Sequence, residues 1–527
     1  MDTATEAGRR RRRRILLTPV RTIPVTCTGG RAGEGPLTLG QLNIFRWLSR
    51  VADPFYGILH VELPVPHGMS VDDVAETIAA LGARHEALRT TYVDGEQPRQ
   101  RVAASGVVTL EVCSLGDGQW GPRDRPAVAE ALVRWLRESS DPVRPPVRLV
   151  VAMANRADRP VIACAAAFSH LAVDHASIEI IKREFADMVG DPALRQAGEP
   201  RHQPLDQAQL EATPTERRRA ERALRYLQAQ SQRMPHRMYA LPGARAGGES
   251  LVVELSSVAA ATAVRRITIR ARSSRSAIVI AALCAVLAHR LGTRELVLPL
   301  NSSNRFERHL IHYVGALSQN CVATVDIGDN SFDALVAHTW ATVLEASRQA
   351  RYDTAERAES DRRIEYERGL AFHHDLLFNS MAAESPLTMA HRGAAPARTE
   401  LRWRPVPWNG TPLRFDLNQV DGRLLLEAWS ADTGLAPRAE LESLLLAVER
   451  LLVAAADGDL DAARIPDVIG LAPVVRTADW LLVDSCWVDL TDVQRLLDEA
   501  FAVARIFPSA AGQPLVAYLV ATDSVHT

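Results

Sequence analysis

Apolar positions along this chain recur with two periods, and their alternation divides it. Between residues 36 and 200, stretches with helical spacing at 71–92 and 127–139 alternate with short apolar runs at 147–153 and 161–168, too short for most helices and read as strands. Beyond 161–168, Ile178, Ile181, Phe185 and Met188 return at helical spacing. The seven residues between, Ser169-His170-Leu171-Ala172-Val173-Asp174-His175, are therefore a tight strand-to-helix connection. A histidine there is held by the scaffold yet can face a cleft, which suits a general base. An acid four residues later can anchor the connection by pairing with a distant arginine. The bland alternative is a surface loop carrying an incidental His and Asp.

The pattern then repeats. Residues 191–205 carry Pro, Gly and Gln and lead into a charged helix at 215–234, the crossing to a second α/β lobe that starts at Leu251. There, 274–291 reads as an apolar helix, 296–300 and 320–327 as strands, and 332–351 as a helix with Leu335, Val336, Trp340, Val343 and Leu344 on its apolar side. Strands at 413–418 and 424–428 flank a Val420-Asp421-Gly422 turn, and a helix at 438–455 closes the lobe. Residues 1–34 read as a disordered Arg-rich tail, with order beginning near Pro36.

Composition narrows the chemistry. With 527 residues, 47% hydrophobic and 24% charged, the chain can fill about two to four ordinary domains. Its net charge of −2 includes the run Arg9–Arg14; without it 55 basic residues face 63 acidic ones, a net of −8. A mildly acidic body argues against nucleic acid as a partner. No stretch is apolar enough to span a bilayer, and residues 15–25 are broken by Thr, Pro and Arg rather than forming a signal core, so the cytoplasm is the default. Cys27, Cys113, Cys164, Cys284, Cys321 and Cys486 form no Cys-x-x-Cys pair and read as small apolar packers. The single lysine, Lys182, lies mid-helix without a Gly-rich turn, which excludes a P-loop. Abundant Ala and Arg beside it point to a high-GC genome such as an actinomycete's. His373-His374-Asp375 invites a metal, but no spaced third ligand follows, so no metal site is read there.

Several segments carry a resemblance. Ser169 to His175 resembles the His-His-x-x-x-Asp-Gly motif of the condensation domains of nonribosomal peptide synthetases, members of the chloramphenicol acetyltransferase-like superfamily, with His170 at the catalytic second histidine. Pro36-Leu37-Thr38-Leu39-Gly40-Gln41-Leu42-Asn43-Ile44-Phe45 resembles the opening PLS-x-x-Q helix, and Arg84-His85-Glu86-Ala87-Leu88-Arg89-Thr90 the RHE-x-LRT motif. Asn304-Arg305, Val314-Gly315 and Gln319-Asn320 resemble the NR…IG-x-FVNT region, and Asp375-Leu376-Leu377-Phe378-Asn379 the V-L-F-N strand. Departures are Ser169 for the first histidine, His175 for glycine, Gln319-Asn320 for Asn-Thr, and a Tyr-Ala-x-Trp segment barely recognisable near 202–212. They point to an unusual substrate pair or reduced activity. Arg476-Thr477-Ala478-Asp479-Trp480, Trp487-Val488-Asp489-Leu490 and residues 512–520 resemble part of the C-terminal subdomain of adenylation enzymes, ending before its catalytic lysine.

The resemblance implies an α/β (α+β) fold: two chloramphenicol acetyltransferase-like lobes, 35–205 and 206–455, forming a V with a central tunnel, plus a small α+β appendage at 456–527. It implies transfer of an acyl or aminoacyl group from a carrier-protein thioester to an amine or hydroxyl, in natural-product and antibiotic biosynthesis. His170 would be the catalytic residue. Asp174 would form a structural ion pair with Arg305, or else Arg89, and Ser169, His175, Ser318, Gln319 and Asn320 would line the channel. No cofactor is expected in the protein, since the phosphopantetheine arm arrives on the carrier. Because no LGG-x-S attachment site or complete adenylation domain is seen, carriers are expected in trans and the enzyme free-standing. A noncatalytic recruitment module and an acyl-CoA-dependent acyltransferase of the same superfamily stay open.

Overall fold

A computed structural model describes residues 15–51, 54–66, 68–116, 120–139, 147–154, 160–196, 201–382, 398–406, 411–501, 503–507 and 515–520. The run Arg9–Arg14 lies outside them. The chain divides into two compact units, Met1–Glu216 with Arg305–Leu317, and Arg217–Asn304 with Ser318–Thr527.

The first unit carries β1 (Thr18–Thr28), β2 (Gly33–Pro36), α1 (Leu39–Leu48), β3 (Ile58–Leu63), α2 (Val71–Arg84), β4 (Thr90–Val93), β5 (Arg99–Val102), β6 (Ser105–Ser114), α3 (Arg125–Ser139), β7 (Val147–Met153), β8 (Val161–Ser169), α4 (His175–Gly190) and α5 (Pro204–Glu211). Five strands form a sheet in the order β1-β6-β7-β8-β3, with β6 and β7 parallel, and β2-β5-β4 form a second small sheet. Strand β8 reads as unbroken apolar sequence because both its faces are covered. Cys164, Ala166 and Phe168 join the core with α2 and α4, while Ala163, Ala165 and Ala167 meet Leu132 and Leu136 of α3.

Two expectations are corrected here. Order starts well before Pro36, because residues 18–28 form β1, paired along β6 with Val25 and Cys27 buried. Pro19 and Pro24 gave this segment the look of a tail. As an edge strand of its sheet, β1 tolerates prolines that a central strand could not. The helix expected over 71–92 stops at Arg84, where His85 turns extended (φ −114°, ψ 111°), and Thr90–Val93 continue as β4. Thr90, Thr91 and Val93 are β-branched and favour that strand.

Helix α6 (Pro214–Ser231) leads into the second unit, which carries β9 (Leu251–Ser257), α7 (Val258–Ala271), α8 (Arg275–Leu291), β10 (Glu295–Ser302), β11 (Gln319–Asp326), α9 (Phe332–Arg348), α10 (Thr354–Arg368), β12 (Leu376–Ser380), β13 (Glu400–Pro405), β14 (Leu413–Gln419), β15 (Leu424–Ser430) and α11 (Arg438–Ala454). Its seven-stranded sheet runs β11-β10-β12-β14-β15-β9-β13, with β12 parallel to both β10 and β14. Helix α8 is buried almost all round, which explains its lack of a polar face. No single helix among the described residues is long and apolar enough to cross a membrane. Trp340, placed on the apolar side of its helix by spacing, is 40% exposed instead, since α9 buries the stripe of Phe332, Leu335, Val336, Thr339, Val343 and Ala346. Helix α10 escapes the pattern because it buries just Ser360 and Ile364.

The remainder forms α12 (Ile465–Ile469), a hairpin of β16 (Trp480–Val483) and β17 (Cys486–Asp489), α13 (Leu490–Ala500), and the pair β18 (Ala504–Phe507) and β19 (Val516–Leu519). Leu460, Ile465 and Ile469 belong to the core of the second unit. Among the polar contacts that tie on the segment after Gly470, Val474 N–H donates to the Arg290 carbonyl (2.7 Å), Arg368 Nε pairs with Asp484 (2.8 Å), and Arg476 Nη1 donates to the Leu291 carbonyl (2.8 Å). Of the apolar residues in this segment, Leu481, Leu497 and Phe501 are half-buried, while Leu482 and Leu496 are more than half exposed. A chain cut after Asp459 therefore loses three core side chains, and its melting temperature should fall by about 5 °C or more, whereas a cut after Val475 should cost far less. Equal melting of the two truncations in a calorimetric scan would contradict this division.

Candidate active site

Strand β8 delivers Ser169, and its carbonyl accepts the N–H groups of Ala172 (3.0 Å) and Val173 (3.1 Å), which folds residues 169–173 into a tight turn. His170 sits at its start, half-buried, with its own N–H donated to the Gly57 carbonyl (2.7 Å). Nδ1 lies 3.0 Å from the Val173 carbonyl oxygen. A carbonyl can accept but not donate, so Nδ1 must carry the proton, and Nε2 keeps its lone pair. Burial pushes the imidazole below its ordinary pKa, more than the nearby Asp174 charge raises it. The ring is therefore neutral at pH 7 and able to accept a proton.

Asp174 caps α4. Its Oδ1 accepts from the Ser177 N–H (2.9 Å), as the helix N-terminus requires. Arg305 grips both oxygens, Nη1 on Oδ2 and Nη2 on Oδ1, each at 2.8 Å, and the Leu317 N–H donates to Oδ2 (3.0 Å). Ser177 Oγ lies 2.8 Å from Asp174 Oδ1 and 2.9 Å from the Gly315 carbonyl, and accepts from the Gly315 N–H (3.0 Å). Burial works against the charged carboxylate, but the Arg305 charge and these donors outweigh it and hold Asp174 well below the usual carboxylate range. Ser177 is a member that motif reading did not name. The capping pattern of Asp174 followed three residues later by a hydroxyl could have found it.

Comparison with family profiles matches the condensation domain over residues 58–418, more than half of the chain. The chain belongs to the condensation-domain family. A structure described for condensation domain-mediated chain release from the enacyloxin polyketide synthase is similar with a TM-score of 0.64 at 20% identity, covering 87% of this chain and 87% of that one. The condensation domain of the Monacolin K polyketide synthase MokA gives 0.63 at 14% identity, covering 82% and 99%. SgcC5 from Streptomyces globisporus gives 0.57 at 19% identity, covering 80% and 100%. At such identities these likenesses show the fold. No curated protein sequence matches the chain.

In this condensation domain the RHE-x-LRT segment is structural. Arg84 (3.1 Å) and His85 (3.0 Å) both bond Glu184 of α4, and Glu86 takes two bonds from Arg31. Arg89 donates to the Gly82 carbonyl (2.7 Å) and to the carbonyls of Arg31 and Ala103, so it takes no part in the Asp174 ion pair. Ser318, Gln319 and Asn320 belong to the second unit, at the start of β11. Gln319 turns inward and donates to the Tyr352 carbonyl (2.8 Å), while Asn320 is exposed. Asp375, beside His373 and His374, accepts from the Met238 N–H (2.7 Å) and anchors a loop. Five of the cysteines are buried and Cys486 is half-buried.

His175 stands where the family motif has glycine. It is the first residue of α4, exposed, and not among the described residues with positive φ, so this position does not need glycine's backbone freedom. His175→Gly should leave the fold intact and lower stability by no more than about 1 kcal/mol; a gain in urea stability would show hidden strain. Asp174→Ala strands the Arg305 charge and should cost on the order of 3 to 5 kcal/mol at neutral pH. Because the folded carboxylate titrates below its unfolded value, its contribution is fully present above about pH 4 and is lost as pH falls through the folded value. Urea melts of parent and variant should therefore converge in acid.

Proposed function

We propose that this condensation domain transfers an acyl or aminoacyl group from a carrier-protein thioester to an amine, with a hydroxyl as the other acceptor class, and that His170 takes the nucleophile's proton. The observation that carries this reading is the 3.0 Å contact between His170 Nδ1 and the Val173 carbonyl, which leaves Nε2 as a base on a scaffold-held ring. The acceptor nitrogen attacks the thioester carbonyl, a C–N bond forms and the C–S bond breaks, and the proton removed by Nε2 ends on the carrier's thiol. Asp174 is committed to Arg305, Ser177 and Leu317, so it holds the connection and leaves the proton transfer to the histidine.

The phosphopantetheine arm belongs to the partner carrier and enters as substrate. A thioester is already activated, so what this chain adds is alignment and proton removal. The recruitment reading draws on Ser169 and His175, which depart from the motif, and on the fold it shares with the X-domain from teicoplanin biosynthesis, TM-score 0.54 at 18% identity.

The test is transfer between purified acyl-carrier proteins and candidate amines, read by intact mass, with acyl-CoA offered in parallel. His170→Ala should lower turnover about a hundredfold or more without changing the melting temperature. Parent turnover should be flat through neutrality and fall in acid, as the imidazole becomes charged below its ordinary value near 6.5. Full activity of His170→Ala would remove the histidine from the chemistry and favour recruitment. Transfer from acyl-CoA alone would move the chain to the coenzyme A-dependent branch.

A further inference from the structure

Helix α1 brings an aromatic side chain to the candidate base. It starts with a capping box, in which Thr38 Oγ1 accepts from the Gln41 N–H (3.1 Å) and Gln41 Oε1 accepts from the Thr38 N–H (2.9 Å). Its second residue, Gly40, lies against the backbone of Ala316 and Leu317, so close that a Cβ would fall 2.3 Å from the Ala316 oxygen. The same Leu317 donates its N–H to Asp174. The N-terminus of α1 is thereby fixed to the ion-pair hub of the first unit, and two turns on it presents Trp47.

The Trp47 indole stands edge-to-face with the His170 imidazole, ring centroids 5.9 Å apart at 73°. Tyr56 backs the indole at 6.3 Å and 69°. Leu48, the next residue of α1, reaches Gly57, whose carbonyl takes the His170 N–H. Three contacts therefore define the imidazole: main chain to Gly57, Nδ1 to Val173, and ring to Trp47. Two of these use backbone carbonyls that many sequences could supply. The third depends on one side chain.

We propose that Trp47 is a positioning residue for His170, holding the ring in the plane that its Val173 bond requires and keeping water from its face. Charged and titratable groups around the imidazole are Asp174 and His175 on its own connection, Tyr56 behind the indole, Arg46 beside Trp47 in α1, and Tyr92 of β4, which donates to the Leu171 carbonyl (2.9 Å). All of them remain when Trp47 is changed. Without the indole, water reaches the imidazole and the charged form costs less, so its midpoint should move up towards the ordinary value. The inference concerns the ring itself and rests on the proposed base role in its kinetic arm.

The experiment uses the full chain labelled with ¹³Cε1-histidine, the His170 signal being assigned by its loss in His170→Gln. In Trp47→Ala the His170 midpoint should rise by about half a pH unit or more, whereas Trp47→Phe should stay near the parent. Trp47→Leu, which keeps apolar bulk, guards against a folding defect and should lie between them. In the transfer assay Trp47→Ala should lower kcat about tenfold with KM little changed, and Trp47→Phe should recover most of it. Unchanged His170 titration in both Trp47→Ala and Trp47→Leu, at parent melting temperature, would overturn the proposal. Full activity of His170→Ala would instead overturn the base assignment, and the titration result would stand without it.

Discussion

A buried carboxylate cannot remain charged without dedicated partners, and Asp174 obtains its main one from 131 residues further along the chain. Both members of the pair are shielded, with the Asp174 side chain 1% and the Arg305 side chain 8% exposed. At such burial the attraction must offset two desolvation costs, which it does only with near-ideal geometry. Here the fork of the guanidinium meets both carboxylate oxygens, and main-chain donors from α4 and from Leu317 satisfy the rest. The segment Arg305–Leu317 consequently belongs to the first unit, although the residues on either side of it belong to the second. Everything at the candidate site follows from that clamp: the start of α4, the turn that carries His170, and the seat of α1 against Leu317.

The residues around the site divide into those that hold and one that is held free. Arg84, His85 and Glu184 form one network and Glu86 with Arg31 another, and these fix α2 to α4 and to the chain around Arg31. Asp174, Ser177 and Arg305 fix the connection. His170 is bonded through its main chain and through one nitrogen, and its other nitrogen is left for chemistry. A base paired to a carboxylate would be stronger and more often charged. Burial tunes this imidazole towards the neutral form, outweighing the Val173 carbonyl at Nδ1 and the Asp174 charge, which both favour the charged one. A neutral imidazole of this kind suits the proposed transfer, in which proton removal rather than electrophile activation is the task.

The C-terminal residues show packing of two qualities. Leu460, Ile465 and Ile469 join the large core of the second unit, and the Leu460 carbonyl accepts the Phe332 N–H (2.8 Å). Past Gly470 the attachments are mainly polar, among them the Arg476 bond to the Leu291 carbonyl and the His236 N–H donated to Cys486 Sγ (3.0 Å), and α13 buries no residue fully. Resemblance to an adenylation subdomain describes the residue order of this stretch. Its energetic tie to the rest of the unit is the short run before it.

Residue order alone was enough to mark the strand-turn-helix at His170, the two-fold recurrence of α/β pattern, and the family. The first two are local signals set by side-chain period, and the family shows in short motifs spread from Pro36 to Asn379. Order did not distinguish Arg305 from Arg89 as the partner of Asp174, because both are arginines near family motifs and their separation in sequence says nothing of their separation in space. Packing settled it by giving Arg89 to three carbonyls and Arg305 to the carboxylate. Order likewise hid β1, whose prolines read as coil until a single neighbouring strand gave it an edge on which they are harmless, and α10, which has almost no apolar stripe to display. His175 stands where the family motif has glycine, and the helix that begins there holds it without positive φ. Trp47 carried no signal at all, since a tryptophan near the end of an apolar helix becomes notable only when the fold lays its ring against a histidine from another element.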